Sequence, residues 1–201
     1  MQLDYQALIK KYDIKSIADV YRLFDTEIVY EWIRLYEGMA AYGEITIQNF
    51  YGYTFAIDDG NQVIRPGEDP KEMLEGRVVA AYGLSNNKVM QGNRKMMRKW
   101  IGPTGEVFKP YGDNYDKGHF IAHGLGGPID VNLFPQRRDI NRGWSEDGRI
   151  YRQMEKFIAA NPGTFLFSRP LYTDESFCPT ALEFGYCDTE MNFKVKEFPN
   201  R

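Results

Sequence analysis

An α+β fold is what this 201-residue chain predicts, on three observations. A helical period runs through residues 16–41. A period of two replaces it after Gly43. A second helical pattern then sits between strand patterns in the C-terminal half.

In order, residues 3–12 and 16–41 read as helices. In the second, Ile17, Val20, Tyr21, Phe24, Ile28, Trp32, Leu35, Tyr36 and Met39 recur at intervals of three and four, which makes one apolar stripe. Ser16 with Asp19 has the form of a capping box in which Asp replaces Glu, and Gly43 supplies a stop. "GEITIQNFYGYTFAIDDGNQVI" alternates and predicts strands, with a hairpin turn near Asp59-Gly60. "RPGEDPKEMLEG" predicts a loop with room for one helical turn, and "GRVVAAYGL" a strand. "NNKVMQGNRKMMRKW" is basic and has no acid; "GPTGEVFKPYGDN" carries turn residues around a short strand. "YDKGHFIAHGLGG" runs from strand into loop. "SEDGRIYRQMEKFIAANPG" predicts a helix ended by Asn161-Pro162-Gly163. "TFLFSRPLY" is a strand, and "ALEFGYCDTEMNFKVKEF" two more around a turn.

Composition narrows the function. With 43% apolar and 15% aromatic residues the chain can build a core. No apolar run approaches the ~18 residues of a membrane span, and the first residues carry acids and lysines where a signal peptide is apolar. The expectation is a soluble protein made in the cytoplasm, with no membrane partner, and with export open to a route that reads no such signal. Cys178 and Cys187 are too few for a disulfide scaffold; two reduced thiols or one local bridge are the alternatives. The net charge of −3 hides an asymmetry: residues 1–76 sum to −7, residues 77–201 to +4, and residues 88–156 to +5. A basic surface on one half is compatible with an acidic whole, as is a scatter of solvated charges.

Both histidines, His119 and His123, fall in "YDKGHFIAHGLGG". The ordered pattern "DKGH … NLFPQRRDINRGW … YRQME" resembles the DNA/RNA non-specific endonucleases of the ββα-metal, or His-Me finger, class. In that family the pattern is Asp-Arg-Gly-His, then Asn-x-x-Pro-Gln, then Asn-x-Gly, then a helix bearing Glu. The resemblance covers about residues 76–172, and the order of its elements makes it specific. It implies a ββα-metal core with a central antiparallel sheet, in a domain at 76–201 preceded by a helical and β extension at 1–75. That extension would dock a carrier or inhibitor, or cover the sheet.

The resemblance also implies roles. His119 is the general base, in the catalytic motif with Asp116 and Lys117. Asn141 is the ligand of Mg²⁺ or Mn²⁺, Glu155 on the next helix would hold a water bound to that metal, and Asn132 and Gln136 are supporting polar groups. The family's upstream-strand arginine is Arg98 or Arg94, with Arg98 nearer the motif; Arg94, Arg142 and Arg152 are substrate contacts. The chemistry is consistent with the residue types. A neutral imidazole can take a proton from water near pH 7, and an amide oxygen is a hard ligand suited to Mg²⁺.

Three departures stand out. Lys117 replaces the family Arg and loses its bidentate fork. "SEDGRI" lengthens the segment before the helix Glu, which makes Glu146 the substitute for Glu155. Arg169 stands where the family strand has Gly. His123 reads as hydrogen-bonding within its loop, Trp144 as packing, Met96 and Met97 as core contacts. The competing functions are a nuclease-like protein that only binds, and a zinc-stabilised binding protein using His119, His123, Cys178 and Cys187. The leading one is a non-specific endonuclease of a bacterial effector or toxin, acting on DNA or RNA and restrained by an inhibitor or immunity protein. The oligomeric state is not set by the sequence.

Overall fold

The computed structural model describes residues 3–37, 43–59, 76–86, 109–128 and 131–201. Its frame is a six-stranded antiparallel sheet with a helical layer on one face and a strand–strand–helix unit on the other.

The helical layer comes first in the chain. α1 spans Tyr5–Lys11, and Asp4 caps it by accepting from Ala7 N at 2.9 Å. α2 spans Ile17–Leu23, capped by Ser16, which accepts from Asp19 N at 3.2 Å. A π turn, Phe24–Ile28, joins it without a break to α3, Val29–Glu37. The predicted helix is therefore present, with one wider turn that the apolar spacing did not show. The widened turn keeps Phe24, Ile28 and Trp32 all buried.

β1 (Ile45–Phe50) and β2 (Tyr53–Asp58) form a hairpin turned by Tyr51 (φ 56°) and Gly52 (φ 87°). The two positive φ values make a two-residue turn whose twist matches the strands. This turn was not among those expected; the one expected near Asp59-Gly60 follows the end of β2 at Asp58 and runs on to Gly60, which lies outside the described residues. So do Met39, the loop at 65–75, the basic stretch from 87 to 100 with Met96 and Met97, and residues 101–108.

β3 (Arg77–Leu84) pairs with β2 and with β6 (Phe165–Leu171), and β7 (Ala181–Cys187) and β8 (Phe193–Pro199) complete the order β1-β2-β3-β6-β7-β8. Residues 45–58 therefore share one sheet with strands drawn from beyond residue 76. β2 and β7 are buried along their whole length, because both faces of the sheet are covered. On the helical face, Phe24 and Trp32 pack against Phe167 at ring distances of 5.3 Å each. Each such buried ring contributes roughly 1.5–3 kcal/mol.

Arg169 finds its reason on the same face. Its guanidinium lies 3.1 Å from the buried Glu183 carboxylate, which also accepts from Tyr5 Oη at 3.0 Å. Burial pushes the Glu183 carboxyl up, and the arginine opposes that push. The pair pins α1 to the sheet.

On the opposite face lie β4 (Tyr115–His119) and β5 (Leu133–Arg137), a two-stranded antiparallel ribbon. β5 runs directly into the short helix α4 (Arg138–Asn141). α5 (Glu146–Ala160) follows and packs Tyr151, Met154 and Ile158 into the core under this unit. Gly163 (φ 88°) then turns the chain into β6. No helix among the described residues is long and apolar enough to cross a membrane.

Candidate active site

Strand β4 ends at His119, and the chain then loops back through 120–128. Asn132 holds that loop by standing in for a backbone strand. Its Oδ1 accepts from Ile121 N at 2.7 Å, and its Nδ2 donates to Ile121 O at 2.6 Å and Pro128 O at 2.9 Å. Tyr53 Oη donates to Leu125 O from the sheet below. Asn132 is fully buried, so the strap is shielded from water.

Gly118 is opposite Phe134 in the ribbon, and the absence of its side chain matters. A Cβ there would sit 2.5 Å from Gln136 Oε1. That space lets the buried Gln136 amide reach Asn141, whose Nδ2 donates to Gln136 Oε1 at 2.7 Å. The amide nitrogen of Asn141 is committed, which leaves Oδ1 as its acceptor atom.

Asn200, after β8, pairs with the outer edge of β5. Its Oδ1 accepts from Arg137 N at 2.9 Å and its Nδ2 donates to Pro135 O at 2.8 Å and Pro179 O at 2.9 Å. The side chain thus mimics one rung of a third strand on either side of Gln136.

α4 ends at Asn141, and Gly143 (φ 73°) turns the chain toward α5. Ser145 caps α5 by accepting from Gly148 N at 3.0 Å, with Glu146 and Asp147 in the first turn where a helix favours acids. The extra "SEDGRI" residues are therefore the opening of the helix. Glu146 is exposed there, and Glu155 is carried to the site.

These elements enclose a recess of about 280 Å³. Lys117, His119, Gln136, Asn141, Arg152 and Glu155 line it, as do His123 and Tyr151. His119 Nε2 is buried and has no hydrogen-bond partner among the described residues. Burial first, and the charge of His123 second, hold the His119 imidazole down at about 4, so it is neutral at pH 7. Arg152 Nη1 lies 3.1 Å from Glu155 Oε2, and burial pushes the Glu155 carboxyl up against that partner. A neutral imidazole, an amide oxygen, a carboxylate and two cations therefore face one small volume.

Other expected site residues sit elsewhere. Asp116 accepts from Arg138 Nε at 3.0 Å and from Arg142 Nε at 2.6 Å beside the recess. Burial pushes its carboxyl up, and the hydrogen bonds from Arg142 and Arg138 outweigh that and hold it below the usual range. This clamp joins β4 to α4, and neither Asp116 nor Arg142 lines the recess. Asn132 lies behind the loop. Arg94 and Arg98 fall outside the described residues.

Two readings are corrected, those of Trp144 and of the zinc site. Trp144 is 60% exposed, with the Arg142 guanidinium 5.1 Å from its ring centroid, and is not a packing residue. His123 accepts a loop bond through its carbonyl, from Gly126 N at 3.1 Å, while its buried Nδ1 has no hydrogen-bond partner among the described residues. The four-ligand zinc site fails on placement. Cys178 lies under β5 with Sγ 3.7 Å from Pro135 O, and Cys187 belongs to the core on the helical face. Among the described residues no group of three or more His, Cys, Asp or Glu is placed to hold a metal. Both thiols are free, and burial pushes each up to about 12.

A family model described as DNA/RNA non-specific endonuclease matches residues 74–189, more than half of the chain. Among solved structures, that of Sda1 nuclease with bound zinc ion is similar, with a TM-score of 0.39 and 14% identity, over 80% of this chain and 76% of that one. No curated protein matches the chain.

Proposed function

From the match to residues 74–189, the chain belongs to the DNA/RNA non-specific endonuclease family and is a nucleic-acid hydrolase, and we propose that it cuts phosphodiester bonds with His119 as general base and Asn141 as metal ligand. The observation that carries this reading is the buried His119 Nε2, which has no partner among the described residues and shares its recess with the Asn141 amide and the Glu155 carboxylate.

The donor set fits a hard divalent ion. Asn141 Oδ1 would hold the ion and Glu155 a water bound to it, and Mg²⁺ takes one or two such side chains and keeps several waters. The chemistry supplied there by Mg²⁺ or Mn²⁺ is neutralisation of charge on the phosphoryl oxygens. His119, neutral at pH 7, accepts a proton from the attacking water. Gln136 fixes the Asn141 amide, and Asn132 fixes the loop beyond His119. The clamp on Asp116 makes that residue and Arg142 positioning groups. Lys117 and Arg152 present positive charge to phosphate, which carries affinity without base information. Cutting is therefore independent of sequence, on DNA or RNA. Such an activity endangers the cell that makes it, and we place the protein among bacterial effectors or toxins, kept in check by an inhibitor or by export.

The test is degradation of plasmid DNA and of RNA with Mg²⁺ or Mn²⁺, with EDTA, and with His119→Ala. Cutting that needs both the metal and His119 is expected. Folded wild type that cuts neither substrate in any metal would refute the reading and leave a nuclease-like binding protein.

A further inference from the structure

The reading above uses one imidazole, and the recess holds two. His123 opens the short 3₁₀ turn His123–Leu125, and its ring centroid lies 6.4 Å from that of His119, with the planes at 34°. Nothing among the described residues hydrogen-bonds its buried Nδ1. Leaving a buried polar atom without a partner costs about 1–3 kcal/mol. The loop that carries it is not slack. Asn132 ties Ile121 and Pro128, Tyr53 ties Leu125, and Ser168 Oγ donates to Phe120 O. A loop held this firmly fixes His123 on the wall of the recess while one of its ring nitrogens stays unsatisfied, and such a group calls for an explanation. The family motif assigns nothing to this position, four residues after the motif histidine.

In hydrolysis of a phosphodiester the attacking and leaving oxygens stand on opposite sides of phosphorus. One needs a base and the other an acid. Two imidazoles on one recess can serve both, and the charge of His123 is among the causes that hold His119 in its basic, neutral form. Resting on the nuclease reading, we propose that His123 is a further catalytic residue, which gives a proton to the leaving sugar oxygen.

The step balances as follows. The water oxygen forms a bond to phosphorus as one of its protons passes to His119. The bond from phosphorus to the leaving oxygen breaks, and its electron pair stays on that oxygen. His123 supplies the proton that makes it a hydroxyl. One proton enters the pair of rings and one leaves it.

The experiment compares two kinds of bond in one oligonucleotide. One linkage carries sulfur at a bridging position, on the 3′ side in one oligonucleotide and on the 5′ side in a second, and its neighbours are unmodified. A thiolate leaves without being protonated, since its pKa is near 8.5. His123→Gln should slow cutting at ordinary bonds by about 10²-fold or more, the range of a general acid. It should leave cutting at the matching sulfur bond within about threefold of wild type. Both bonds are cut in the same sample, so their ratio does not depend on how much of the variant is folded; His123→Asn repeats the comparison. Equal loss at both bonds, or no loss at either, overturns the proposal and leaves the nuclease reading standing. Wild type that cuts no ordinary bond with Mg²⁺ or Mn²⁺ overturns both.

Discussion

Gly118→Ala adds a single methyl group to the centre of the β4–β5 ribbon. Its Cβ would lie 2.5 Å from Gln136 Oε1, against a normal separation of about 3.5 Å. Gln136 is 2% exposed and has nowhere to swing. The ribbon must open by about 1 Å, at a cost of about 1–3 kcal/mol for overpacking. In a protein of this size that lowers Tm by roughly 2–12 °C, so the variant stays folded at 25 °C. The displaced oxygen is the one that accepts from Asn141 Nδ2 at 2.7 Å. Misplacing a working group by about 1 Å costs about 10²-fold in rate. Thermal melts and kcat/KM on DNA at saturating Mg²⁺ read both effects. Gly124→Ala is the stability control, because nothing lies within 4 Å of a Cβ built there. A folded Gly118→Ala protein with wild-type kcat/KM would show that Gln136 does not position Asn141.

Three more outcomes follow from the geometry. His119 holds its imidazole at about 4 when folded, against about 6.5 in the unfolded chain. Between those values the unfolded chain binds a proton that the folded one refuses, so stability is full above pH 6.5 and falls by roughly 3 kcal/mol as the pH drops through 4. Urea denaturation at pH 7 and pH 4 should show that loss in wild type and less of it in His119→Asn; equal losses would contradict the buried imidazole. Asn200→Ala leaves Pro135 O, Pro179 O and Arg137 N without their partner, and should cost about 3 kcal/mol or more in the same assay. Asn132→Ala frees Ile121 and Pro128, and amide exchange at Ile121 should rise by an order of magnitude or more; unchanged exchange there would mean that the loop is held by its sheet contacts alone.

Much of this fold is written locally. The helical stripe from Ile17, the cap at Ser16, the stop at Asn161-Pro162-Gly163 and the last three strands each depend on neighbours within a few residues. The turn at Tyr51-Gly52 was hidden because Tyr51 accepts a left-handed backbone that its side chain disfavours. The π turn was hidden because one wider turn leaves apolar residues four apart. In the site, the motif drew attention to Lys117, His119, Gln136, Asn141, Arg152 and Glu155, and the recess collects these six. The clamp of Arg138 and Arg142 on Asp116 could not be read, since it needs β4 beside α4. Nor could the exposure of Trp144, the work of Asn200, or the placing of His123, each of which comes from residues brought together by folding.

The clip made by Asn200 also has a bearing on time. A growing chain emerges from the ribosome N-terminus first, and β8 with Asn200 comes after every residue of the recess. Until residue 200 is out, β5 lacks its outer rung and Gln136 its frame. On the function proposed above, cutting would therefore begin late in synthesis. Ribosome-bound chains stalled near residue 190 should leave RNA whole under conditions in which the released protein degrades it.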